Sequence, residues 1–387
     1  MKDIIYIGQN DYDLPLFENQ YPVPCGMAYN SYLILDDKVA VMDTCDHRKA
    51  EEWKASLHKA LDGRQADYLV MHHMEPDHSA LAAWALQEFP ALKIVATAKA
   101  VQMLPQFFEG ISFQERTIAV KECDTLPLGK HTLRFIMAPM VHWPEVMASY
   151  EETEKVLFSA DAFGSFGTLD QQEEDWACEA RRYYFNICGK YGMPVQTLLK
   201  KVTAFDIQTI CPLHGPILEG NLQPYLSLYN TWSQYEAEKA GVFIGYASIH
   251  GGTAEVAQQV ARLLKARGQK VCLMDLTREE VSFAVEDAFA YGKAVFAASS
   301  YDAGLFPPMH NLLHHLHIKA WQKKRVALIE NGSWAPSAGK VMREMLSEMK
   351  DVEIVEPVVT IRSRMKQTDL PQLETLVDAL LKPASKE

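Results

Sequence analysis

Two packed β-sheets with outer helices, followed by a doubly wound five-stranded parallel sheet, are what this sequence predicts: an α+β half joined to an α/β half. Three observations predict it. From Ile4 to about Leu213 short apolar runs outnumber helical patterns; after about Ala240 strand and helix alternate strictly; and in both halves the distinctive polar motifs stand directly after strands. A chain of 387 residues is long for one domain, so two are expected. The segment Glu236–Gly241 is the best boundary, giving domains over 1–239 and 240–387.

In the first half the candidate strands are Ser31–Leu35, Val39–Met42, Tyr68–Met71, Ile94–Thr97, Leu133–Met137 and Val156–Ser159. Helical patterns lie near Lys49–Leu61, Ala80–Glu88 and Trp176–Cys188. More strands than helices in this order favours an αββα sandwich over one parallel sheet. The second half opens with strand Val242–Tyr246 and a helix from Thr253 whose stripe of Val256, Val260, Leu263 and Leu264 stops at Gly268. Strands Val271–Met274, Ala294–Ala298, Val326–Glu330 and Ile354–Val359 then alternate with helices near Val281–Ala290, Pro308–His317, Ala338–Met349 and Pro371–Leu381. That rhythm describes a parallel sheet covered on both faces.

Composition excludes several classes. Hydrophobic content of 48% and charged content of 23% are those of an ordinary globular protein. No apolar run is long enough to span a bilayer, and the N-terminus lacks a signal-peptide pattern. A net charge of −12 opposes binding to nucleic acid. The seven cysteines, Cys25, Cys45, Cys123, Cys178, Cys188, Cys211 and Cys272, form no Cys-x-x-Cys pair. Thiols in a reducing compartment, and hence a cytoplasmic enzyme, are expected.

The sharpest motif is His73-Met-Glu75-Pro-Asp77-His78, directly after a strand. Pro76 stiffens it and discourages a helix around it. A solvated loop would favour Ser, Gly and Lys; two imidazoles beside two carboxylates suit a pair of metal ions instead. His142, Asp161 and His214 each follow an apolar strand in the same way. Together they make four histidines and three carboxylates, with Asp161 the natural bridge. Oxygen-rich ligation suits iron or manganese, although imidazole and carboxylate also bind zinc.

In the second half three loops stand at strand ends. Ser248-Ile249-His250-Gly251-Gly252-Thr253 has the glycines, hydroxyls and following helix that cradle a phosphate. Ser299-Ser300-Tyr301-Asp302-Ala-Gly304 and Asn331-Gly332-Ser333-Trp334 follow the third and fourth strands. Tyr301 and Trp334 offer flat walls for an isoalloxazine ring, so FMN is the expected ligand. His310, His314, His315 and His317 lie on a helical stretch without carboxylate partners and read as solvated. The methionines read as core fillers.

These motifs resemble the flavodiiron proteins, in which a metallo-β-lactamase-like domain precedes a flavodoxin-like one. Zinc hydrolases on that scaffold carry His-x-His-x-Asp-His; here Glu75 replaces the second His. The family pattern of His-x-Glu-x-Asp-His, His-Trp-Pro, Ser-x-Asp-Ala-Phe-Gly and His-Gly-Pro occurs in order. Pro24–Tyr32 and Ala180–Ile187 also look like family segments, and the likeness runs from about Pro24 to about Ser347. It implies that His73, Glu75 and His142 hold one iron, Asp77, His78 and His214 the other, and Asp161 bridges. Tyr183 or Tyr184 is expected to project toward the irons, or else to pack as a core aromatic.

The likeness further implies electrons passing from an external donor, a rubredoxin or a flavin reductase, through FMN to the di-iron site. Dioxygen would there be reduced to water, or nitric oxide to nitrous oxide. A homodimer or homotetramer and no fused rubredoxin are expected. His250-Gly251-Gly252 and Ser299-Ser300-Tyr301 depart from the usual flavodoxin loops, which bears on ring contacts rather than on the phosphate site. The rival readings are a zinc-dependent hydrolase and an electron-carrying flavoprotein with a merely structural metal domain.

Overall fold

The structure is a computed structural model and describes residues 2–170 and 175–383. It divides into two compact units, Met1–Asn230 and Thr231–Glu387. The boundary expected after residue 239 lies slightly further along the chain.

The first unit holds two six-stranded sheets. One runs in the order Ile4–Tyr6, Tyr32–Ile34, Ala40–Met42, Tyr68–Val70, Lys93–Thr97, Thr117–Val120. The other runs Thr125–Pro127, Thr132–Met137, Met147–Glu151, Val156–Phe158, Thr209–Cys211, Leu218–Glu219. Both are mixed: the first is parallel from Ala40 onward, and the second only where Val156–Phe158 meets Thr209–Cys211. Between them lies one core in which Tyr32, Met42, Val70 and Val95 meet Phe135, Met147, Val156 and Phe158. Helices cover the outside because their apolar stripes demand it. In Ala50–Leu61, Trp53, Leu57 and Leu61 recur every four residues and are buried. Helix Ala98–Phe107 packs on the Lys93–Thr97 strand and is capped by Thr97, whose hydroxyl accepts from Ala100 N at 3.1 Å.

Several elements were not legible in the pattern. Short edge strands such as Gln9–Asp11, Met27–Tyr29 and Leu218–Glu219 carry too few residues for periodicity. Pro76 does not keep the metal motif out of a helix: it starts the single turn Pro76–Ser79. Proline is tolerated at the first helical position, where its missing N–H has no partner anyway.

The second unit is a parallel sheet in the order Val271–Asp275, Val242–Ala247, Lys293–Tyr301, Lys324–Asn331, then the fifth strand. In sequence terms this is 2-1-3-4-5, the doubly wound order with its switch point between the first and third strands. The fifth strand is not the continuous Ile354–Val359 run but two pieces, Val352–Ile354 and Val359–Ile361, both paired to Lys324–Asn331. Pro357, between them, lacks the N–H a ladder needs. Helix Gly252–Ala266 buries Val256, Val260 and Leu264 against this sheet. On helix Pro307–Ile318, His310, His314 and His317 are exposed, whereas His315 is half-buried and its imidazole is pushed down to about 4 by burial and by Lys319.

Lys324 lies in the sheet core and donates to Phe289 O at 2.9 Å. Burial pulls its ammonium from 10.5 down to about 7. Below about pH 7 the group is charged in both folded and unfolded chain, and the desolvation penalty is carried in full. Between about 7 and 10.5 the unfolded chain holds a proton that the folded one lacks, so stability rises with pH. Lys324→Met is therefore expected to raise the calorimetric melting temperature of this unit most below about pH 7, the gain shrinking toward 10.5. A pH-independent difference would contradict this.

Candidate metal centre and cofactor cleft

Strand ends of both sheets deliver seven ligand-type side chains to one buried spot. His73 and Glu75 follow strand Tyr68–Val70; Asp77 and His78 ride the Pro76–Ser79 turn; His142, Asp161 and His214 follow three strands of the second sheet. They fall into two groups. His73, Glu75, His142 and Asp161 form one, and Asp77, His78 and His214 the other, the potential ligand atoms within each lying within 4.8 Å of one another. Asp161 Oδ2 is 3.3 Å from His73 Nε2 and 3.3 Å from His142 Nε2. Its other oxygen, Oδ1, is 3.4 Å from His78 Nε2 and 3.7 Å from His214 Nε2. One carboxylate thus serves both groups. Asp77 Oδ2 lies 3.4 Å from His78 Nε2 and 3.3 Å from His214 Nε2, while Glu75 Oε2 lies 3.1 and 3.2 Å from His73 and His142.

The electrostatics follow from crowding charges in a dry place. Burial opposes a charged His142, but Asp161 and Glu75 outweigh it and lift the imidazole to about 9. Burial likewise opposes charging of His73, and Asp161, Glu145 and Glu75 overcome it. For Asp161 burial pushes upward, yet His73, His142 and His78 hold the carboxyl well below its usual range. The residues fit metal ions on independent grounds: both carboxylate oxygens of Asp77 and of Asp161, and both ring nitrogens of His78, are buried without a hydrogen-bond partner among the described residues. Such groups are destabilising by about 1–3 kcal/mol each unless something satisfies them, and more when charged.

Close contact of the site loops requires glycine at one point. Gly215 has φ +75°, and a side chain there would run into Ser165. Tyr183 packs its ring 5.6 Å from that of His214, whereas Tyr184 turns to Tyr229, at 5.1 Å. Both tyrosines are buried.

Some participants were not read from the sequence. Glu145 sits behind His73, accepting from Nδ1 at 2.8 Å; the His142-Trp-Pro-Glu run held that signal. Glu18, at the exposed tip of the Leu16–Pro22 hairpin, has its carboxyl raised by the surrounding protein and by repulsion from Glu75. His72, past the end of the strand, turns to partners other than the ligands. It ties Asp43 to Ser149, with Nε2 2.8 Å from the serine hydroxyl.

In the second unit a cavity of about 710 Å³ opens at the carboxyl ends of the strands, within the range of ~300–1,000 Å³ usual for ligand sites. Ser248, Ile249, His250, Gly252 and Thr253 line it, with Ser299, Ser300, Tyr301 and Asp302 from the second loop and Asn331, Gly332, Ser333 and Trp334 from the third. Gly251 and Gly304 do not. Gly251 instead precedes the helix at φ +88°, its N–H donating to Ser248 Oγ at 3.1 Å, and Gly304 O accepts from Ser337 Oγ at 2.9 Å. Ala303, Ala335, Ser363 and Arg364 also line the cavity. The last two follow Ile361, beyond the point where the sequence pattern ended the fifth strand.

This cavity fits a phosphorylated flavin. A helix starts at Gly252, where a side chain would run into Ser363 O, so the backbone is left open to a phosphate. Arg364 adds a cation, and the aromatic faces of Tyr301 and Trp334 stand 46% and 89% exposed beside it.

With both sites defined, the fold and ligand sets describe a two-domain metalloflavoprotein. The family model described as ODP family beta lactamase matches residues 27–215. The nitric oxide reductase of Moorella thermoacetica is 28% identical over 95% of this chain and 94% of that protein. A flavo di-iron protein of Thermotoga maritima superposes with a TM-score of 0.86 at 25% identity, covering 96% of this chain and 94% of that one. The rubredoxin:oxygen oxidoreductase of Desulfovibrio gigas gives 0.92 at 24% identity, covering 98% and 96%, which bears on the fold. At 33% identity over 71% of this chain, the diflavin flavoprotein A 1 of Synechocystis is also similar, but the chain spans only 49% of it. Over nearly its whole length the chain is thus similar to flavodiiron proteins.

Two outcomes follow from the geometry. Stripping metal with a chelator is expected to lower the melting temperature of the first unit, because bound ions stabilise only the folded ligand set; an unchanged melting curve would count against the centre. Gly252→Ala is expected to cut flavin content after purification without touching metal content, read by absorbance and elemental analysis.

Proposed function

We propose that the protein is a flavodiiron oxidoreductase that reduces dioxygen to water, nitric oxide to nitrous oxide, or both, with electrons from an external donor. The observation that carries this reading is Asp161, whose two oxygens face two separate ligand groups at 3.3–3.7 Å. Its support from relatives is that proteins similar over nearly the whole chain are named a nitric oxide reductase and a rubredoxin:oxygen oxidoreductase. Two irons and FMN, when bound, supply the electron storage and the redox chemistry at the gas.

In this reading His73, Glu75 and His142 hold one iron, Asp77, His78 and His214 the other, and Asp161 bridges. Glu75 stands where the hydrolase pattern has histidine, and the added oxygen ligand favours iron over zinc. The FMN-sized cavity also speaks against a hydrolase. The phosphate belongs at Ser248–Thr253 and the ring against Tyr301 and Trp334. Tyr183 is the tyrosine whose packing on His214 suits it to fixing that ligand's ring plane. A cytoplasmic homodimer or homotetramer served by rubredoxin or a flavin reductase completes the proposal. No helix among the described residues is long and apolar enough to cross a membrane.

Elemental analysis and visible absorption of the purified protein test it first. Two irons and one FMN per chain are expected from the two ligand groups and the single flavin cleft, with anaerobic consumption of one or both gases. Zinc without flavin would overturn the reading. Asp161→Ala is expected to lose iron and gas consumption together while flavin content holds; full iron in that variant would refute the bridge.

A further inference from the structure

The two metal positions differ behind their ligands, and the difference has a consequence for how firmly each ion is held. Glu145 is buried, 2% exposed. Its Oε1 accepts from His73 Nδ1 at 2.8 Å and from Met74 N at 2.9 Å. Its Oε2 is buried without a hydrogen-bond partner, and among the described residues no lysine or arginine pairs with it. The negative charge therefore faces one imidazole and one backbone N–H. The backbone behind it is fixed as well, because Glu145 O accepts from Thr97 Oγ1 at 2.9 Å, the same hydroxyl that caps helix Ala98–Phe107. Trp143 stands edge-on to the His73 ring at 5.1 Å.

Among the described residues the second group has no such anion. His214 Nδ1 donates to a neutral carbonyl, Ala28 O, at 2.8 Å. His78 Nδ1 is buried with no hydrogen-bond partner among the described residues. A carboxylate behind a ligating imidazole fixes the ring so that Nε2 faces the metal, and draws on the Nδ1 proton so that Nε2 becomes a stronger donor. A carbonyl does the first and little of the second. In a dry interior the extra negative charge also attracts the cation directly, since the effective dielectric is far below that of water.

We infer that Glu145 is a positioning residue that makes the two sites unequal: the ion held by His73, Glu75 and His142 is the tighter, and Glu145 is the reason. This rests on the two-metal reading proposed above. It predicts an order of loss, the ion of Asp77, His78 and His214 leaving first as a chelator is raised, and an order of filling that is the reverse.

The test is a chelator titration of the metal-loaded full-length protein, with ions per chain read by elemental analysis and the state of the pair followed by paramagnetic resonance. Glu145→Gln keeps an acceptor for His73 Nδ1 but removes the charge. The expected result is two separate release steps in the unaltered protein, and an ~10–100-fold lower chelator concentration for the later step in the variant, with the earlier step unmoved. The resonance of the half-reduced pair should change in Glu145→Gln. Glu145→Asp, which keeps the charge on a shorter arm, should restore part of the difference and serves if the Gln variant fails to fold. Glu151→Gln removes the charge from another buried pair, His131 Nδ1 to Glu151 Oε1 at 2.9 Å, whose other side-chain hydrogen bonds run to Asp3, Thr153 and Glu154 and to none of the seven ligands; it should leave both steps in place.

Simultaneous release of both ions in the unaltered protein, an unmoved later step in Glu145→Gln, or an equal shift in Glu151→Gln would each overturn the inference. Zinc alone in the unaltered protein would instead refute the redox function, and the same titration would still decide whether Glu145 orders the two positions.

Discussion

Everything in the first unit answers to one electrostatic demand, the gathering of three carboxylates and four imidazoles in a place that water does not reach. Isolated charges of this kind are among the least tolerated groups in a protein interior. They coexist here because each is within about an ion-pair distance of an opposite partner, and because Asp161 divides its oxygens between the two groups. The two-sheet sandwich makes this possible. Parallel and antiparallel strands end at one edge, and the residue past each end is free of the ladder and can turn inward. Asp43, His72 and Ser149 lock the backbone beneath, so that the loops above need not be long to be rigid.

The second unit solves the opposite problem with opposite means. Its ligand brings the charge, so its lining is mostly backbone, hydroxyl and aromatic surface rather than ionised side chains. Thr253 and Ser299 share a hydrogen bond at 2.8 Å between the first and third strands, and Asn331 Nδ2 donates to Ser363 O at 2.9 Å between the fourth and fifth. The cleft is therefore cross-braced between loops, and its shape is set before a ligand arrives.

Much of this was written in the sequence. All seven candidate ligands converge, because each announced itself as a polar group at the end of an apolar run, and that local pattern is also what places it spatially. The alternating second half was legible for the same reason, since its helices and strands are long enough to show their period. What stayed hidden depended on contacts across the chain. The His142-Trp-Pro-Glu run draws the eye to Glu145, but its partner, His73, stands 72 positions away, and nothing local could choose between Tyr183 and Tyr184. Arg364 and Ser363 were missed because Pro357 divides the last strand and masks where it ends. The one-turn helix at Pro76 escaped because a turn that short has no periodicity.

The bracing of the flavin cleft has a consequence for biogenesis. The carbonyl that closes against Gly252 and Asn331 belongs to Ser363, which follows Val359–Ile361, the last strand to be made. That strand pairs with Lys324–Asn331, Ile329 standing opposite Val359. A nascent chain can thus assemble its metal ligands, complete by His214, well before it has a finished seat for the flavin. More than a third of the sequence thus lies between the last metal ligand, His214, and the residue that closes the flavin seat, Ser363.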